Sequence, residues 1–207
     1  MFSLSREDLK KRILGCGDGP ASFNSVLTRR GGHVVSIDPL YQYSHLEIKK
    51  RIGETYEQVL SQTRKNRAEF IWERISSVEE LGHIRMAAMN AFLDDFSSGV
   101  SQGRYLPASL PKIPFRYRTF DISLSSHFLF LYCDHLSIDF HVSSIKEMCN
   151  VAREARVFPL LDLAARLSRY VAPVKSILEQ DGYGVKIEVV DYEFQKGGNK
   201  MMIVTCN

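Results

Sequence analysis

The residues best placed to do chemistry are the run Gly15-Cys16-Gly17-Asp18-Gly19 and the carboxylate Asp38. The run follows the apolar pair Ile13-Leu14 and precedes Pro20, so it reads as a glycine turn between a strand and a helix. Glycine there lets the backbone approach a nucleotide closely, and a helix start offers unpaired N–H groups. A dinucleotide site asks for G-x-G-x-x-G with a pyrophosphate on that helix start. Counted from Gly15 the last position is Pro20, and counted from Gly17 it is Ser22, so both registers fail. Asp38 closes a second apolar run, where a carboxylate can accept both hydroxyls of a ribose. Ribose recognition without a pyrophosphate fingerprint fits a phosphate-free nucleoside ligand, S-adenosylmethionine. The plainer alternative is a purely structural βα turn with Asp38 capping a helix.

A second set follows Phe120-Asp121-Ile122-Ser123-Leu124, which reads as a central strand. His127 lies just beyond it, at the carboxyl edge where open α/β sheets bind ligands, and a histidine there can take a proton from a reacting group. Its alternative is a hydrogen bond to nearby backbone. Asp134, His135 and His141 come later and read as solvated. Cys133, His135, His141 and Cys149 match no standard ligand spacing, so no metal is expected. Arg104, Tyr105, Arg116, Tyr117 and Arg118 could hold an anion, including RNA, but a solvated loop with tucked aromatics is the simpler reading. Trp72 is assigned to core packing.

Bringing these residues to one edge requires a parallel sheet, and strands alternate with helices along the chain as such a sheet demands. Strands are predicted at Ile13-Leu14, His33 to Ile37, Arg104 to Leu106, Phe120 to Leu124 and Arg156 to Leu160. Val185, Ile187 and Val189 alternate as a further strand, and Val190, Tyr192 and Phe194 continue it out of phase, as a β-bulge would. Gly197-Gly198-Asn199 then turns the chain into Lys200 to Cys206. Helices are predicted from Pro20, across 44–66, after Ser76 and Ser77 with their capping glutamates Glu79 and Glu80, after Ser144 with Glu147, and around Pro173. Two helices between the second and third strands exceed what a crossover needs, so 40–100 reads as a helical insertion over one end of the sheet. The fold class is α/β: a Rossmann-like three-layer sandwich, with a mostly parallel seven-stranded sheet and a C-terminal antiparallel hairpin, in one domain over 1–207.

Composition narrows the partners. Of 207 residues 44% are hydrophobic and 25% charged, globular values. A net charge of +3 falls short of the footprint of a dedicated nucleic-acid binder but does not by itself name a partner; a small-molecule acceptor is expected over RNA. No apolar run is long enough to span a bilayer and the first residues carry no export signal, so a cytoplasmic protein is expected. Its cysteines, without a C-x-x-C pair, are expected to be reduced.

With these residues in view, the chain resembles class I S-adenosylmethionine-dependent methyltransferases. The likeness is carried by Ile13 to Gly19, Val35-Ser36-Ile37-Asp38, Leu110-Pro111-Lys112-Ile113-Pro114-Phe115 and Phe120 to Leu124. A narrower resemblance is to an uncharacterised bacterial group of methyltransferase-like proteins, through Ser126 to Tyr132, Val157-Phe158-Pro159-Leu160 and Tyr192 to Gly198. The resemblance implies that Gly15, Cys16 and Gly17 face the methionine part of the cofactor and Asp38 its ribose, with Ser109 and Leu110 near the adenine. It implies that Ser125, Ser126 and His127 line the methyl-transfer mouth, with His127 as the catalytic candidate. Many superfamily members have an acidic residue where Ile13 stands, which leaves the ligand's amino group without an assigned partner. Two other classes stay open: a nicotinamide-dependent oxidoreductase and a non-catalytic module that binds S-adenosylmethionine.

Overall fold

The computed structural model describes residues 1–206. Its strands are Arg12–Cys16 (β1), His33–Ile37 (β2), Tyr105–Leu106 (β3), Ile122–Ser126 (β4), Glu154–Phe158 (β5), Gly184–Val189 (β6) and Lys200–Thr205 (β7). The α-helices are Phe23–Arg29 (α1), His45–Lys65 (α2), Val78–Ser101 (α3), Ile138–Val151 (α4) and Val171–Gln180 (α5). The strands form one sheet in the order β3-β2-β1-β4-β5-β7-β6. Pairing is parallel from β3 through β5, and β7 runs antiparallel to both its neighbours.

Alternate residues of β1 enter different cores because successive side chains of a strand point to opposite faces. Leu14 and Cys16 join Ile145, Met148 and Val174 of α4 and α5, whereas Ile13 joins Leu27 of α1 and Ile122 of β4. Helices therefore cover both faces, as the continuous burial of a central parallel strand requires. A third cluster seats α2 and α3 on the sheet edge: Ile48 and Ile52 of α2 and Phe92 and Phe96 of α3 pack with Tyr41 and Tyr105. Asp95 reinforces it, accepting from Arg104 at 2.6 and 2.8 Å and from the Tyr105 hydroxyl at 2.9 Å.

Four local expectations are corrected. Pro20 does not open a helix; α1 starts at Phe23 because the Gly19 N–H is taken by Asp38 and Gly19 is left-handed (φ +57°). Ser144 does not cap α4 but is buried inside it; the cap is Ser137, whose hydroxyl accepts from the Phe140 N–H at 3.1 Å. Its apolar stripe starts earlier than Ser144 and Glu147, so the helix does too. Residues 190–194 do not extend β6 through a bulge. Phe194 instead stacks on Phe70 at 4.9 Å, and its carbonyl takes the Ile71 N–H at 2.7 Å, which draws this segment off the sheet. Finally, Cys149 and Cys206 are bonded as a disulfide; α4 and β7 bring together residues 57 positions apart, a proximity that spacing does not reveal.

Phe92 is fully buried at the centre of the α2–α3 contact. Phe92→Ala is expected to lower the unfolding free energy by about 4 kcal/mol, through lost transfer energy and an unfilled cavity. Urea denaturation followed by circular dichroism checks this.

Candidate functional site

The strand order reverses between β1 and β4, and open α/β sheets bind ligands outside the carboxyl ends of strands at such a point. From the end of β1 the chain enters the glycine turn. Gly17 (φ +71°) keeps the ladder alive by donating its N–H to the Ile37 carbonyl at 2.9 Å. A Cβ there would come within 3.0 Å of the Phe128 ring, so only glycine lets the turn lie against the chain that follows β4.

Asp38 holds the turn from the other side. One carboxylate oxygen accepts from the Gly19 N–H at 2.9 Å and the other from the Leu40 N–H at 2.8 Å, capping the short 3-10 turn Pro39–Gln42. Each oxygen has a second lone pair, so the structural role leaves two acceptor positions free. Asp18 folds back toward β2, where it accepts from the Ser36 hydroxyl at 2.6 Å, and its carboxyl group packs against the α-carbon of Gly15. Burial pushes its pKa up to about 6, opposed by the Ser36 hydrogen bond and reinforced by the Asp38 charge.

Beyond β4, His127 has a left-handed backbone (φ +52°) and donates its N–H to the Phe158 carbonyl at 2.7 Å. Its Nδ1 lies 2.9 Å from the Ser126 hydroxyl and its ring stands edge-on to Phe158. Crowding by neighbours lowers the imidazole pKa, helped by the positive charge of Arg85, so the neutral form prevails at neutral pH.

Between these two chain segments lies a cleft of about 420 Å³. Of the sequence-predicted residues, Gly17, Asp38, Ser109, Leu110, Ser126 and His127 line it. Gly15, Cys16 and Ser125 do not; they are buried behind it, and burial holds the Cys16 thiol well above the usual range. Asp18, Phe128 and Tyr132, to which sequence reasoning assigned no role, also line the cleft. Asp18 carried a visible signal, an acidic residue between two glycines of the turn, whereas the two aromatics carried none.

The remaining candidates are engaged elsewhere. His141 is fully buried, its ring nitrogens 2.7 and 3.0 Å from the Ser137 and Leu129 carbonyls. Asp134 pairs with Arg169 at 3.0 Å. Arg104 and Tyr105 are both committed to Asp95, which removes them from any phosphate-binding surface. Trp72 stacks edge-on to Phe70 and Phe194 and donates to the Arg67 carbonyl at 2.9 Å. Among the described residues no group of three or more His, Cys, Asp or Glu could hold a metal ion.

A sheet of this order, with one antiparallel strand and a cleft at its switch point, is the fold of class I methyltransferases. The chain is similar to a number of solved structures, including three at TM-scores of 0.50 or 0.51. Magnesium protoporphyrin IX methyltransferase of Synechocystis PCC 6803, solved with bound SAM, is 10% identical, over 97% of this chain and 73% of that one, at a TM-score of 0.50. The methyltransferase domain of a bacterial protein, CtHen1-C, is 12% identical, over 97% and 92%, at 0.51. The PH0226 protein of Pyrococcus horikoshii OT3 is 11% identical, over 96% and 82%, at 0.50. At these identities the likeness is one of fold. No family model matches the chain. It belongs to the same family as the uncharacterized protein MJ0045 of Methanocaldococcus jannaschii, to which it is 32% identical over 207 residues, 99% of this chain and 90% of that protein. That relative is archaeal, whereas the narrower resemblance drawn from sequence was to a bacterial group.

The raised pKa of Asp18 has a measurable consequence for stability. Its folded value, about 6, exceeds the ordinary 3.8, so the native state holds the proton more tightly and stability falls as pH rises between those values. Asp18→Asn keeps an acceptor for Ser36 and removes the charge. It should match wild type at pH 4 and exceed it by about 2 kcal/mol above pH 6. Urea titrations at the two pH values check the difference.

Proposed function

We propose that the chain is an S-adenosylmethionine-dependent methyltransferase that binds its cofactor in the cleft between the glycine turn and His127. The supporting observation is electrostatic. Asp18 and Asp38 both line the cleft, and neither is paired with a cationic side chain among the described residues. Two unit charges about 5 Å apart at an effective dielectric of 20 interact by roughly 3 kcal/mol. A ligand bearing a sulfonium and an ammonium gains from this wall, and a pyrophosphate is repelled by it. The turn is also a poor anion site, because the Gly19 N–H is occupied by Asp38 and Pro20 has none. These features weigh against the nicotinamide-dependent alternative.

The residues fit the cofactor as follows. Asp38 accepts the ribose hydroxyls with its two free lone pairs, and Ser109 and Leu110 flank the adenine. Asp18, whose carboxyl group covers Gly15, takes the ammonium that Ile13 leaves without a partner. Gly15, Cys16 and Ser125 serve from behind as backbone support. When bound, S-adenosylmethionine supplies an electrophilic methyl group whose bond to sulfur breaks, with its electron pair, as a lone pair of the acceptor bonds to carbon. His127, neutral at pH 7, accepts the proton that the acceptor releases. Most of the rate comes from holding the two reactants in line. Among the described residues no helix is long and apolar enough to cross a membrane, and we read the protein as acting on a small molecule in the cytoplasm.

Titration calorimetry tests the reading. Wild type should bind S-adenosylmethionine and give no heat with NADH, and Asp38→Ala should bind about 10- to 100-fold more weakly, the cost of losing hydrogen bonds to a charged acceptor. His127→Ala should keep the affinity while label transfer to acceptors in a cell extract falls. No binding at millimolar S-adenosylmethionine would overturn the proposal, and binding without any label transfer would favour the non-catalytic module.

A further inference from the structure

A second pocket, of about 290 Å³, lies between α2, α3 and the turn after β1. Its walls are apolar: Ile52 and Leu60 come from α2, Met89 from α3, and Pro20 from the turn. Its inner end is Asp18, which also lines the cofactor cleft, so the two cavities share a wall. Two polar groups face it without partners among the described residues. The Tyr56 hydroxyl makes no hydrogen bond, and Gly82 makes room for it, since a Cβ there would come within 2.6 Å of that oxygen.

Arg85 is the other. It stands one helical turn before Ala88 and Met89 on the same face of α3 and makes no hydrogen bond or ion pair among the described residues. The titratable groups that sense it are Tyr192 and His127, so its charge reaches from the pocket to the mouth of the cleft. Its side chain is exposed at the rim of the pocket, where the neighbours on one side lower its pKa.

An apolar chamber of this size suits a small organic body, near the lower end of ligand pockets at about 300 Å³. A single uncompensated cation at its rim calls for one negative charge, and the planar fork of arginine matches a carboxylate. The carboxylate at the inner end is already shared with Ser36 and the cofactor cleft. We infer that this pocket seats the methyl acceptor, and that the acceptor is a small monocarboxylic acid with an aromatic or branched apolar body whose carboxylate pairs with Arg85. The inference rests on the methyltransferase reading for the role of the acid, while occupation of the pocket can be measured without the cofactor.

The test uses the full chain and four probes: benzoate, phenylacetate, 3-phenylpropanoate and 4-methylpentanoate, each against its neutral amide. Calorimetry should detect at least one acid, with its amide about tenfold weaker or worse. Arg85→Ala and the pocket-filling Ala88→Trp should each weaken the acid by about tenfold or more, while S-adenosylmethionine affinity stays within about twofold of wild type. NMR titration of the His127 ring should show its pKa rising when the acid binds, because the anion offsets the Arg85 charge. The inference is overturned if no acid binds, if acid and amide bind alike, or if Arg85→Ala weakens S-adenosylmethionine as much as the acid, which would give Arg85 to the cofactor's own carboxylate. Acid binding that persists in a protein unable to bind S-adenosylmethionine would sink the methyltransferase reading and the acceptor role with it. Silence of the acids in a protein that binds the cofactor would sink only the inference.

Discussion

The carboxylate of Asp38 fixes the geometry on which the rest of the site depends. It leaves an extended backbone at the end of β2 and ties two chain segments at once, the glycine turn through Gly19 and the 3-10 turn through Leu40. That tie acts together with the Gly17 N–H bond to Ile37 and the Ser36 hydroxyl bond to Asp18 to hold the turn after β1 away from a helical start at Pro20. A helix beginning there would direct free N–H groups at the cleft, as dinucleotide sites do. Together these bonds turn a generic anion-binding corner into one with an acidic wall.

The charge of that wall is also a cost to the fold. Asp18 is crowded, close to a second carboxylate, and supported by one serine hydroxyl. Among the described residues no cation offsets it, which is the usual signature of a group placed for a ligand rather than for stability. The same logic separates two arginine environments. Arg104 is fully engaged by Asp95, Tyr105 lies beside it, and the set locks α3 to β3. Arg85, only nineteen positions earlier on or near the same helix, is left unpaired at a cavity. One arginine is architecture and the other is available.

What could be read from sequence follows from how local the determining interaction is. The central parallel strands were visible because a strand covered on both faces is apolar over most of its length, β6 because Val185, Ile187 and Val189 alternate, and α2 because Ile48, Ile52, Tyr56, Val59 and Leu60 recur at helical spacing. The cleft residues Gly17, Asp38, Ser126 and His127 were legible for a related reason: each sits within two residues of a strand's carboxyl end, which topology sends to the same edge. Features set by distant pairs were not legible. Ser144 carries the same capping pattern as a true N-terminus, and only the earlier apolar stripe assigns the cap to Ser137. Tyr192 and Phe194 alternate like strand residues, yet the aromatic partners Phe70 and Trp72, more than a hundred positions away, draw that segment elsewhere. Cys149 and Cys206 meet only because β7 enters the sheet beside β5.

The helical segment between β2 and β3 is where these two kinds of information meet. Its amphipathic stripes announce two helices, but not that they would stack on the edge strand through Tyr105 while leaving a chamber against the glycine turn. A well-packed interface tolerates no void without cost, since lining groups lose contacts on the empty side. At its outer end the α2–α3 contact is packed with aromatic rings, Tyr41, Phe92 and Phe96 lying within 6 Å of one another. At the end nearest Asp18 it opens instead, although leucine at Ala88 would fill the gap at little cost in helix propensity. Cohesion at one end and vacancy at the other, on the same pair of helices, argues that the inner end is shaped by what enters it rather than by the demands of folding.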